Sequence, residues 1–191
     1  MSFLKWGSSY VLVALNVALA AGCARASISK VRKAETGSLC VQKALVVVEV
    51  VENMGNRHIL EPLRARLEER GVAAQVIEAG SVTDLREPSI SGPIGTYQPQ
   101  AVLVVDWQKA SLWGTALADP SSENRFKLSL YQYTQEHNLV EVWKANMVSR
   151  RTFTLDPGIE PQDAEKIAVE IVEELGESKL IPPCEAEQAG Q

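Results

Sequence analysis

Ala44-Leu45-Val46-Val47-Val48-Glu49-Val50-Val51 is the stretch that decides the fold. A strand with one wet face alternates apolar and polar residues; this run is β-branched and apolar on both sides, so it belongs centrally in a sheet. Asn53-Met54-Gly55-Asn56 follows as a turn carrying an N-cap side chain. Ile59, Leu60, Leu63 and Leu67 then mark one stripe of a helix that stops at Gly71, with Pro62 confined to its first turn. Val72 to Ala79 reads as a second strand. Strand, helix and strand at this spacing form a unit with a right-handed crossover.

Beyond that unit, residues 80–100 hold Gly80, Pro88, Gly92, Pro93, Gly95 and Pro99, a density that argues for an irregular loop. Such a loop is the leading segment for partner contact, through Ile90, Ile94 and Tyr97. The second half alternates in three places: Ala101 to Leu112, Phe126 to Thr134 and Leu139 to Arg150. Asp119-Pro120-Ser121-Ser122 and Glu136-His137-Asn138 supply the two connections of an antiparallel meander. Pro161 then opens a helix with Ala164, Ile167, Ala168, Ile171, Val172 and Leu175 on one face, closed by Gly176. The expected fold is α/β: a two-layer sandwich with a mixed sheet of about five strands and two helices on one face, over residues 43–181. Residues 182–191, rich in Pro, Glu, Gln and Gly, read as a disordered tail.

Working back toward the N-terminus, Lys5 precedes a nearly unbroken apolar run from Tyr10 to Ala21, and Leu19-Ala20-Ala21-Gly22-Cys23 closes it with small residues. The run is about a dozen residues, shorter than the ~20 that cross a bilayer. Residues 1–22 therefore read as a signal peptide. The closing stretch resembles the lipobox of bacterial lipoproteins, although Leu19 stands four residues before Cys23 and Ala20 holds the place where Leu is preferred. The resemblance implies that Cys23 becomes the acylated N-terminus and anchors the chain to a membrane. Ala24, where an inner-membrane retention signal places Asp, favours the outer membrane on its periplasmic face. Residues 23–42 read as the lipidated cysteine and a flexible tether. Cys40 and Cys184 remain, an even number in an oxidising compartment. Two readings stand open for them: a bond closing a long loop, contributing about 4 kcal/mol in the chain-entropy model, or two unrelated thiols.

Composition narrows the function classes. The chain has 191 residues, with 19 Lys and Arg against 24 Asp and Glu; removing Lys5 with the leader leaves 18 basic residues and a more acidic mature chain of 169 residues. That charge excludes a nucleic-acid binder, which needs a basic surface. His58 and His137 have no partners at metal-ligand spacing, and no cofactor or metal is expected. No Gly-x-Ser-x-Gly, P-loop or Gly-x-Gly-x-x-Gly motif occurs. Glu61, Glu68, Glu69, Asp163, Glu165, Glu170, Glu173 and Glu174 read as solvated helix faces. Asp106, an acid in an apolar strand, reads as the point where that strand leaves the core. Trp107 and Trp143 read as packed residues. Tyr131, Tyr133 and Trp113 read as an exposed aromatic patch, and hence an interface.

The Ala44–Val51 strand with its helix, the segment Pro99-Gln100-Ala101-Val102-Leu103-Val104-Val105-Asp106 and the strand Asn138-Leu139-Val140-Glu141-Val142-Trp143-Lys144-Ala145 resemble the small periplasmic lipoprotein domains related to the TolB amino-terminal domain. That group includes the curli-secretion and Pel-export lipoproteins. The resemblance implies a non-enzymatic, oligomer-forming component of an envelope or export complex, with envelope proteins as partners. A glycan- or lipid-binding accessory lipoprotein, or a transporter-auxiliary or lipopolysaccharide-transport lipoprotein, is the alternative. The pore-forming relatives carry long hairpins, and no insertion of that length is evident in this sequence.

Overall fold

The computed structural model describes residues 24–34, 39–82, 84–115, 118–134, 136 and 138–184; Cys23 and His137 lie outside them. Its six strands form one mixed sheet in the order β1-β6-β5-β4-β2-β3. Along the chain come β1 (Ala24–Lys33), β2 (Lys43–Glu49), a 3₁₀ turn (Asn56–Ile59), α1 (Leu60–Glu69), β3 (Ala73–Ala79), α2 (Pro88–Tyr97), β4 (Ala101–Thr115), β5 (Ala118–Tyr133), β6 (Leu139–Thr152) and α3 (Pro161–Glu177). The apolar run becomes β2, between two parallel neighbours: Val46 pairs with Val76 of β3 on one side and with Leu103 of β4 on the other. From β4 onward the pairing is antiparallel.

Alternation along the strands builds two cores. On one face Val46, Val48, Leu103, Val105, Leu128, Trp143 and Met147 meet Leu63 and Leu67 of α1 and Ile167 and Ile171 of α3. On the other, Leu45, Val47, Val102 and Val104 meet Ile90 and Ile94 of α2. The expected two layers are therefore corrected to three around β2 and β4, with three α-helices and six strands among the described residues. Residues 88–97 are helical despite Gly92, Gly95 and Pro93, because Pro88 suits the first turn and Ile90 and Ile94, one turn apart, bury fully against the sheet. Tertiary burial here overrides weak local propensity.

The tether expectation is also corrected. Ala24–Lys33 pairs antiparallel with β6, Ala24 opposite Arg151 and Ile28 opposite Met147. Ala26 and Ile28 pack on the main core, while Arg25, Ser27 and Ser29 are exposed. Asp119-Pro120-Ser121-Ser122 is strand, not turn: β4 and β5 pair as far as Thr115 opposite Ala118, with an irregularity between Trp113 and Thr115. Such an irregularity tolerates Pro120, whose missing N–H breaks no ladder there.

Two polar joints lock the elements. Glu160 and Asp163 form a capping box at the start of α3. Arg151 of β6, buried, reaches Asp163 Oδ2 at 3.2 Å, Thr154 Oγ1 at 3.0 Å and the Asp156 carbonyl at 2.9 Å. Asp163 is thus buried, unlike the solvated acid expected from the sequence. Cys40 and Cys184 are bonded across a separation of 144 residues. Pro182–Cys184, assigned to the tail by sequence, therefore belongs to the folded body.

Candidate functional site

The residues singled out as an interface divide between two places. Ile90 and Ile94 are buried beneath α2. Tyr97 packs beside them, its hydroxyl donating to the Ala73 carbonyl at 3.1 Å and its ring 4.5 Å from Lys43 Nζ. Tyr131 and Tyr133 lie half-buried against the same cluster rather than displayed. Trp113 stands apart on the β4–β5 hairpin, 60% exposed. Trp143 is buried and Trp107 half-buried, each with its indole N–H satisfied, by Ser178 Oγ and Asn124 Oδ1 respectively.

From β2 the chain runs through α1 on one face to β3, then through α2 on the opposite face to β4 on the other side of β2. The carboxyl ends of β2 and β4 thus diverge at a topological switch point, where open α/β sheets hold their ligands. Glu49 closes β2, and Asp106 follows the Val105 that pairs with Val48. Glu49 Oε2 accepts the Trp107 N–H at 3.1 Å. Burial, then the hydrogen bond and charge of neighbouring Asp106, push the Glu49 carboxyl up to about 7, against the opposing Trp107 N–H. Among the described residues, Glu49 is chemically unusual in this respect. A signal for it existed in sequence, a carboxylate ending an otherwise apolar central strand.

Beside it an open cleft of about 580 Å³ lies between the Val50–Gly55 segment, Arg57, His58 and the end of β3. Arg57 binds Glu78 at 2.7 Å, and His58 is exposed. Asn56 turns inward, its Nδ2 donating to the Glu49 carbonyl at 3.2 Å, so it ties the turn to β2 instead of capping a helix. Gly55, at φ +70°, abuts the Ile159 carbonyl so closely that a Cβ would stand 2.2 Å from it. Among the described residues, no group of three or more His, Cys, Asp and Glu could hold a metal ion.

At the far end of the antiparallel hairpins, Leu112 and Trp113 of β4 and Phe153 and Leu155 after β6 are large, apolar and between 49% and 72% exposed. Behind them Glu123, buried, receives Arg125 Nε at 2.6 Å and Arg150 Nε at 2.7 Å. Burial would raise the Glu123 carboxyl, but the two guanidiniums outweigh it and hold the carboxyl below its ordinary range.

No family model matches the chain, and no curated protein does. Membership of the TolB-related group thus extends no further than the resemblance. Among solved structures it is similar to PelC dodecamers from Paraburkholderia phytofirmans. One, of an L103M variant, is 15% identical, with a TM-score of 0.46 over 79% of this chain and 96% of that one. Another is 16% identical, with a TM-score of 0.46 over 75% and 94%. A minor lipoprotein from Acinetobacter baumannii is 11% identical, with a TM-score of 0.43 over 74% and 95%. At TM-scores below one half these likenesses assign neither family nor function.

Proposed function

We propose that this chain is a lipid-anchored envelope protein, acylated at Cys23 after loss of residues 1–22, whose body serves as a non-catalytic interaction or assembly component at the periplasmic face of the outer membrane. One observation carries the reading. Of the three cysteines, Cys40 and Cys184 are bonded to each other, as suits an oxidising compartment. The third ends an apolar leader immediately before β1. Multiple acyl chains on that sulfur and amine would anchor stably, since each buried CH2 contributes about 0.8 kcal/mol. Metabolic labelling with palmitate tests the anchor: native protein should be labelled and membrane-bound, and Cys23→Ser should be neither. Crosslinking in cells tests the assembly role, and a protein captured only as an unpartnered monomer contradicts it.

The open cleft between the ends of β2 and β3, next to Glu49, favours a second reading, an accessory lipoprotein that binds a small polar ligand. Its test is a thermal-shift screen of glycans and lipid headgroups against native protein and Glu49→Gln. A ligand whose stabilisation survives that substitution would count against this use of the cleft.

A further inference from the structure

We infer that the β4–β5 hairpin end of the sheet is a membrane-facing foot, seated in the same phospholipid leaflet that holds the acyl anchor. The inference rests on acylation at Cys23, and the geometry adds which end of the body meets the lipid.

The register across the sheet carries the argument. Leu112 pairs with Ser122, Ser122 with Arg151, and Arg151 with Ala24. Ala24 therefore lies in the same row as Leu112, three strand spacings away, or about 14 Å. The residue preceding Ala24 in the sequence is Cys23. The chain thus leaves the sheet toward its anchor at the end where Leu112, Trp113 and Phe153 are exposed.

Basic residues stand just behind this end. Arg25 pairs with Arg150, which is opposite Glu123; one same-face row further in, Arg125 pairs with Lys109. All four basic residues are exposed, and Glu123 is the acid set among them. An apolar tip bearing Trp, backed by a basic collar in an acidic protein, suits a leaflet with apolar chains below and anionic headgroups above. Trp favours the interfacial layer, and each Lys or Arg near an anionic surface contributes about 1 kcal/mol. A second copy of the chain fits less well, because the collars of two such ends would face each other with like charge.

The test uses the full acylated protein in vesicles of phosphatidylethanolamine and phosphatidylglycerol, some lipids carrying bromine on their acyl chains. Indole emission should be quenched by the brominated lipid, and Trp113→Phe should abolish that quenching, leaving Trp107 and Trp143 unaffected. Arg25→Gln with Lys109→Gln should weaken the quenching and remove its dependence on phosphatidylglycerol. Flotation of the same samples keeps the two readings apart. Protein that fails to float lacks the anchor. Protein that floats while Trp113 stays unquenched overturns the foot. Concentration-dependent shielding of Trp113 from aqueous acrylamide, without quenching by lipid, also overturns it and assigns this end to a second copy.

Discussion

Glu49 shows how one side chain can work against its fold. Its carboxyl stands at about 7 because burial and neighbouring Asp106 disfavour the charge. A carboxyl raised in this way binds its proton more tightly folded than unfolded. It therefore subtracts stability as pH rises from the ordinary carboxyl range to about 7, with the loss complete above that. Glu49→Gln keeps an oxygen to accept the Trp107 N–H and removes the charge. It should flatten stability across that window and exceed the native protein at pH 8 by about 1–2 kcal/mol, allowing for screening by water at this half-buried site. Urea unfolding at pH 5 and pH 8 checks this; parallel pH profiles for the two proteins would contradict it. Glu123 has the opposite sign: its guanidinium partners hold the carboxyl low, so it contributes stability above the ordinary range and loses it as pH falls. The sequence shows Glu49 only as a carboxylate ending an apolar strand and gives no sign of Glu123's role, since neither reveals which residue of another strand will stand beside it.

Elements were legible where the hydrophobic period was strong and hidden where burial alone decides. β2, α1, β3 and α3 sit within a few residues of their sequence boundaries, because runs such as Ile167, Ala168, Ile171 and Val172 leave one solution. α2 was hidden, since its glycines and prolines argue for a loop and only the second core makes it a helix. Ile90→Ala distinguishes the packed helix from an exposed contact segment. In a buried site it should cost about 2–4 kcal/mol through the cavity it leaves, read as a lower denaturation midpoint; a surface residue would change stability little. β1 was hidden for another reason. Its inward residues, Ala24, Ala26 and Ile28, are small or few, and their alternation with Arg25, Ser27 and Ser29 gains meaning only beside the free edge of β6.

The Cys40–Cys184 bond closes the body. It joins the approach to β2 with the segment after α3, where Val41 N–H also meets the Leu180 carbonyl at 2.8 Å. A loop with 144 residues of separation gains about 4–5 kcal/mol in the chain-entropy model. Cys40→Ser with Cys184→Ser should therefore lower the melting temperature by roughly 10 °C or more for a domain of this size. Calorimetry checks this, and an unchanged transition would contradict it. The broad α/β class and the central strand could be read from the chain. The third layer and the cleft between the ends of β2 and β3 could not, because they arise from chain crossings between residues far apart in sequence. The pairing of β1 has one more consequence. Ten residues of free chain would let the body wander ~33 Å from its point of attachment. Zipped onto β6, they grant almost no leash. With Cys23 acylated as proposed, a protein moored so short could not ferry cargo between membranes or search for distant targets; whatever it met would have to come to the surface where it is tied.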